Sequence, residues 1–285
     1  MIKNRNYCPL TATPFQKDGS YIEIAPCKQL EPYVRCFWGM ERRARESFAQ
    51  LVVPDTCVDI IYYIDYTENK ISGGFCGVND HSFYAYEEEN EGHVAATFAI
   101  RFYAWGAYVF SEDSLKCSLN AFDEVGVRFA WLDRLLRQRL LELKGLGAMI
   151  SYTERLLAWK VSFAKENEIV NGAVSRILDG KGSVEVADLA REAFVSGRHL
   201  ERLFHQYVGI TPKKFSNLVR YQFLWRDILY DPDLNILDAV HKYGYTDQSH
   251  LLREFKRYHS LDVKSAKALA FQTKTQADEK MIVKK

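Results

Sequence analysis

Two stretches of this chain spell the same device twice. "LAREAFVSGRHLERLF" (residues 189–204) aligns with "AVHKYGYTDQSHLLREF" (239–255). Leu189-Ala190 falls on Ala239-Val240 at an offset of 50, and His199, Leu200, Arg202 and Phe204 fall on His250, Leu251, Arg253 and Phe255 at an offset of 51. Each unit reads as a short helix, a turn of three or four residues and a second helix, which is a helix-turn-helix. Ser196 is placed to cap the second helix of the first unit, and Thr246 or Asp247 that of the second. Leu200, Leu203, Phe204 and Tyr207 recur at helical spacing and must face a core, as must Leu251, Phe255 and Tyr258. That commits the back of the chain to an all-α domain.

With the apolar stripes turned inward, the outward faces follow. They are Arg198, Glu201, Arg202 and His205 in the first unit, and Gln248, Ser249, Leu252, Arg253 and Lys256 in the second. An α-helix fits the major groove of DNA, where Arg pairs bidentately with guanine, Gln with adenine, and an apolar side chain touches a thymine methyl. His205, Lys256 and Arg257 lie further along, within reach of phosphates. Between the units "TPKKFSNLVRYQFLWRDILYD" reads as a long aromatic-bearing helix after Pro212. Such a helix can hold two recognition helices about one turn of duplex (~34 Å) apart. The charge agrees: residues 1–170 carry 19 Lys+Arg against 23 Asp+Glu, and residues 171–285 carry 19 against 14, so an overall +1 hides an acidic front and a basic back. His199 and His250 have no acid or nucleophile paired to them by motif, and read as helix-start hydrogen bonders rather than catalytic groups. For Arg202 and Arg253 an intradomain salt bridge is the rival to a DNA contact.

At these residues the chain resembles the AraC/XylS family of bacterial transcription regulators. "LAREAFVSGRHLERLFHQYVGITPKKF" and "GYTDQSHLLREFKRY" look like the two helix-turn-helix units of that family's DNA-binding domain, over about residues 170–268. The resemblance implies base-facing roles for Arg198, Glu201 and Arg202, and for Gln248, Ser249, Leu252 and Arg253. It also implies promoter DNA and RNA polymerase as partners, and activation as the commoner outcome. The chain departs from the family pattern at Phe194, where a small turn residue is common, at Ser260 in place of glycine, and at Val263 in place of proline.

The front half has a different texture. From about Leu30 to Tyr108, short β-branched and aromatic runs such as "QLVVP", "CVDIIYYI" and "VAATFAIRFY" alternate with turn residues. They predict a small β-barrel or sandwich rather than a parallel sheet. After Asp123 the period becomes helical: Leu132, Leu135, Leu136, Leu140 and Leu143 form a stripe closed by Gly145, either a dimer helix or a helix packed on the barrel. The expected class is α+β in two domains. A β-barrel or cupin-like regulatory domain with following helices covers 1–168, an AraC-type double helix-turn-helix domain covers 169–270, and 271–285 is a polar tail. "VVPDTCVDIIYYI" and "AIRFYAWGAYVF" resemble the N-terminal domain of one AraC subgroup, which implies a small-molecule effector and a homodimer. Trp38, Tyr62, Tyr84, Arg101, Trp105 and Tyr108 are the candidates for an anionic or planar effector, against the alternative that the aromatics are core. Asp55 and Asp59 read as architectural rather than as a catalytic pair, and "ERRAR" and "EEENE" as exposed loops.

Cys8, Cys27, Cys36, Cys57, Cys76 and Cys117 are scattered without C-x-x-C or close His, which argues for reduced, mostly buried thiols and against a zinc site. No cofactor, no catalytic activity and no membrane span are expected; the start lacks an apolar leader, and a cytoplasmic protein is expected. Two alternatives stay open: a front domain sensing thiol redox or a metal, and a DNA-repair or alkyl-transfer protein built on the same helical module.

Overall fold

A computed structural model of the chain describes residues 7–15, 21–42, 48–87, 92–164 and 166–272. The expected loop residues 43–45, the run 88–91 and the tail 273–285 lie outside them.

The front half is built on an antiparallel six-stranded sheet with order β1-β2-β7-β4-β5-β8. Its strands are β1 (Tyr21–Ile24), β2 (Val34–Arg42), β4 (Cys57–Asp65), β5 (Lys70–Cys76), β7 (Ala95–Tyr103) and β8 (Phe122–Glu124). A separate ribbon pairs β3 (Phe48–Val52) with β6 (Phe83–Glu87). The β-rich expectation therefore holds, but the sheets do not close into a barrel. β1 and β8 are the two ends of the order, and no ladder among the described residues joins them.

Successive residues alternate between the two faces of the sheet, and each face has its own character. Phe37, Ile100, Ile60 and Phe75 stand opposite one another on adjacent strands and are wholly buried. After the four-residue α1 (Ala104–Ala107), helix α2 (Gly126–Leu140) covers that face, its Phe129 ring 5.4 Å from Phe75 and 6.3 Å from Phe102. Leu132, Leu136 and Leu140 are fully buried within the single chain, as a helix packed on the sheet requires. α3 (Leu146–Val161) follows, entered through Gly145 at φ +80.

The back half is helical: α4 (Glu168–Asp179), α5 (Val186–Glu192), α6 (Gly197–Tyr207), α7 (Pro212–Tyr230), α8 (Ile236–Lys242), α9 (Gln248–His259) and α10 (Val263–Phe271). Each long helix starts where a side chain satisfies an end N–H. Asn167 accepts from Val170, Ser196 from His199, Thr211 from Lys214, Asp247 from His250 and Asp262 from Ser265. Asp247 rather than Thr246 is thus the second unit's cap. Ser260 takes the left-handed conformation (φ 61) that ends α9, and Val263 opens α10 behind the Asp262 cap. The family departures at these positions leave the helix boundary where glycine and proline would put it.

α7 is the centre of the molecule. It is 19 residues long, about 28 Å at 1.5 Å per residue. Apolar side chains surround it instead of forming one stripe, and a helix apolar all round has to be buried all round. Leu218, Val219, Tyr221, Leu224 and Trp225 are essentially inaccessible.

Candidate nucleic-acid interface

The second helices of the two units, α6 and α9, are held by the same logic. On α6, Leu200, Leu203 and Phe204 are buried and Tyr207 half-buried; on α9, Leu251, Phe255 and Tyr258 are buried. The Phe204 ring lies 6.1 Å from Phe215 of α7, and Phe255 lies 5.8 Å from Tyr221 and 5.9 Å from Trp225. One helix therefore anchors both units.

With those stripes fixed, Arg198, Glu201, Arg202, Gln248, Ser249, Leu252, Arg253, Lys256 and Arg257 are exposed and His205 is half-buried. Among the described residues Arg198, Arg253 and Lys256 form no ion pair, so the rival salt-bridge reading of Arg253 has no partner to name. Arg202 Nη2 sits 3.4 Å from Nδ1 of His199, and the Arg257 guanidinium lies over the Tyr258 ring at 5.4 Å. The acidic neighbour on α9 does not neutralise this face. Glu254 points inward and accepts from Arg220 of α7 at 2.8 and 2.9 Å and from the Tyr245 hydroxyl at 2.8 Å. Burial works against the Arg220 charge, but Tyr245 and Glu254 outweigh it and push its pKa up.

The six front-half candidates do not form one site. Arg101 shares its row of the sheet with Cys36, Asp59 and Cys76, its cross-strand neighbours. Asp59 accepts from Arg101 Nε at 3.1 Å, from Nη2 at 3.1 Å and from Trp38 Nε1 at 2.8 Å, while Asp55 lies 4.0 Å away. Burial opposes the Arg101 charge, yet these carboxylates push its pKa far up. An arginine expected to hold an anionic effector is instead matched by aspartates that the sequence presented as architectural. Tyr62 projects from the opposite face and donates to Asp133 of α2 at 3.0 Å. Tyr84 is half-exposed on the β3–β6 ribbon. Trp105 and Tyr108 line a small cleft with Tyr33, Glu166, Asn171 and Tyr207, where the front half meets α4 and the end of α6.

That meeting place is extensive, and sequence reasoning missed it. Gln222 of α7, 2% exposed, accepts the Leu10 N–H at 2.7 Å and donates to the carbonyls of Leu10 (3.2 Å) and Pro54 (2.8 Å). The Trp225 indole donates to the Thr11 carbonyl at 3.0 Å, and the Trp105 ring meets Phe215 edge-on at 5.8 Å. Leu115 N–H donates to the Gln206 carbonyl at 3.0 Å at the end of α6. Gly209 just beyond has φ +88, and a Cβ there would lie 2.3 Å from Ser118 Oγ, so only glycine permits this approach. Lys214 pairs with Asp80 at 2.6 Å. Burial alone would raise the Asp80 pKa, but hydrogen bonds from Lys214, Asn120 and His81 hold it well below the usual carboxylate range. The one available signal was the all-round apolarity of α7.

Cys36 and Cys57 are buried and Cys76 half-buried, but Cys8, Cys27 and Cys117 are exposed, contrary to the expectation of mostly buried thiols. Burial pushes the Cys36 thiol up to about 12 and Cys76 to about 11, which keeps both protonated and poorly nucleophilic. Among the described residues no three His, Cys, Asp or Glu side chains gather as a metal site requires, and no helix is long and apolar enough to cross a membrane.

Residues 189–264 match the helix-turn-helix domain family, and residues 22–120 match a domain of unknown function, DUF6597. An uncharacterized HTH-type transcriptional regulator of Haemophilus influenzae (strain Rd) is 27% identical over 109 residues, 38% of this chain and 36% of the relative. The match thus spans little more than a third (36%) of that relative's length. Among solved structures, the chain is similar to a transcriptional regulator of Chromobacterium violaceum with an AraC-type DNA-binding domain. That likeness has 23% identity, 36% of this chain, 93% of that chain and a TM-score of 0.34. It is also similar to ToxT of Vibrio cholerae O395, at 10% identity, 82% and 98% coverage and a TM-score of 0.39.

Proposed function

We propose that this chain, whose residues 189–264 match the helix-turn-helix domain family, is a sequence-specific transcription regulator that reads promoter DNA with two recognition helices. The observation that carries the reading is the pair α6 and α9. Two helices anchored on one central helix expose matched polar faces, and among the described residues Arg198, Arg253 and Lys256 on those faces are not spent on ion pairs. Arg198, Glu201 and Arg202 of α6, and Gln248, Ser249, Leu252 and Arg253 of α9, present the hydrogen-bonding and apolar groups that base edges in a major groove require. His205, Lys256 and Arg257 lie toward the helix ends, where phosphates run.

The proposed division of labour is a regulatory unit over 1–168, a DNA-binding unit over 169–270 and a tail over 271–285. A small-molecule signal acts on the first, and the contacts of Gln222, Trp225 and Lys214 supply a route to the second. Of the six effector candidates, Trp105 and Tyr108 are best placed, because their cleft also contains Tyr207 of α6. By resemblance to the AraC/XylS regulators, the chain acts in the cytoplasm as an activator with RNA polymerase, as a monomer or homodimer. The reading needs no catalytic group.

Arg253→Ala tests it. Losing one bidentate base contact weakens specific binding by about 1–3 kcal/mol, roughly 5- to 150-fold, and relaxes preference at one base position. A gel-shift titration showing unchanged affinity and unchanged sequence preference would refute the assignment.

A further inference from the structure

The turns of the two helix-turn-helix units repeat, hydrogen bond for hydrogen bond, at an offset of 50 residues. In the first, Phe194 N–H donates to the Arg191 carbonyl at 3.1 Å and Val195 N–H to that of Ala190 at 3.0 Å. In the second, Gly244 N–H donates to the His241 carbonyl at 3.3 Å and Tyr245 N–H to that of Val240 at 2.9 Å. Phe194 has φ +54 and Gly244 φ +64. Both turns demand a left-handed residue at the same place. The second unit meets the demand with glycine, which adopts that conformation freely, and the first with phenylalanine, which is strained by its Cβ.

The strain brings no packing in return. Phe194 is 96% exposed, more than any other large apolar side chain among the described residues. Glycine at this position would remove both the strain and the exposed ring, and Gly244 shows that the same turn closes with it. A phenylalanine held against both costs needs an external partner.

Its position says which. Phe194 lies two residues before Ser196, the N-cap of α6, at the end of the helix that presents Arg198 and Arg202. In helix-turn-helix docking the N-terminal residues of the recognition helix enter the groove, so a side chain just ahead of them meets the groove wall. Of the charged side chains flanking it, Glu192 is paired with Arg176 at 2.8 Å and Asp188 with Arg191 at 2.8 Å, whereas Arg198 has no ion pair among the described residues. Resting on the DNA-binding reading above, we propose that Phe194 is a DNA contact. Its ring packs on a deoxyribose at the wall of the groove that α6 enters and sets the depth of that helix. Such a contact adds affinity without reading sequence, and it makes the two units unequal, since Gly244 has nothing to offer there.

The test uses the full chain and duplexes recovered by the wild-type protein from a random-sequence pool. Phe194→Gly and Phe194→Asn both accept the left-handed conformation and lack the ring. Both are expected to melt at least as high as wild type, since the strain is relieved. Yet they should bind selected and scrambled duplexes alike about five-fold more weakly, while Phe194→Trp retains affinity. Wild-type affinity in both ringless variants overturns the proposal, including the case where they lose promoter activation alone, which would assign the ring to a protein partner. Loss of binding in Phe194→Gly but not in Phe194→Asn also overturns it, because backbone looseness would then be the cause. Arg253→Ala separates the two failures. If it weakens binding and the Phe194 variants do not, only this inference falls; if none of them weakens binding, the DNA reading falls with it.

Discussion

Replacing Glu254 by alanine probes the joint between the central helix and the second recognition helix. The Glu254 and Arg220 side chains are only 11% and 9% exposed, and Glu254 takes two hydrogen bonds from Arg220 and one from Tyr245. The alanine variant leaves the guanidinium where it is, still buried and with its Nε already lacking a partner among the described residues. Stranding one member of a buried ion pair costs about 3–5 kcal/mol. The Tyr245 ring, 4.3 Å from the guanidinium carbon, stays on the charge in both forms and drops out of the difference. The expected loss is therefore about 3–5 kcal/mol. Glu254→Gln keeps the shape and one acceptor, and should lose about 1–2 kcal/mol. The double variant Arg220→Met/Glu254→Leu removes both charges and should be less destabilised than Glu254→Ala alone. Urea unfolding followed by tryptophan fluorescence, to which Trp225, fully buried on α7, contributes, reads all three. A Glu254→Ala loss below about 1 kcal/mol, or a double variant worse than the single, would show that the pair does not hold α9 to α7.

Two further outcomes follow from buried polar groups. His259 has no exposure, and burial holds its pKa down at about 4. Because the folded pKa lies below the unfolded value of ~6.5, the unfolded chain takes up the proton first. The His259 contribution is full above about pH 6.5 and is lost as pH falls toward 4, by up to about 3 kcal/mol. His259→Asn should flatten that part of a stability–pH profile, and an unchanged slope would contradict the neutral, buried histidine. Gln222→Leu leaves the Leu10 N–H and the Leu10 and Pro54 carbonyls without their partner, at about 1–3 kcal/mol for a buried group so stranded. Amide exchange at Leu10 should then rise, and unaltered protection there would show that Gln222 does not tie the halves together.

The helical half was legible because its rules are local. A cap, an i/i+3/i+4 stripe and a turn residue act within a few positions, so Ser196, Leu200 and Phe255 could be given their places from sequence alone, the second cap was narrowed to Thr246 or Asp247, and the outward faces of α6 and α9 followed by subtraction. The β-rich character of the front was legible for the same reason. Its site was not. Arg101, Trp105 and Tyr108 looked like neighbours along the chain, but pleat and register send Arg101 to Asp59 and Trp38, 42 residues away at the nearer partner, while α1 carries the other two to the cleft beside Tyr207. The docking of Gln222 on Leu10 joins positions 212 residues apart, and no periodicity encodes a pairing at that range. The sequence by itself determined two helix-turn-helix units, the cap of the first and which side chains their second helices turn outward, since each is a short-range consequence of helix geometry. Tertiary structure alone decided that the sheet stays open, that Arg101 is claimed by aspartates and that α7 is shared by both halves. Those outcomes depend on which distant surfaces exclude water together.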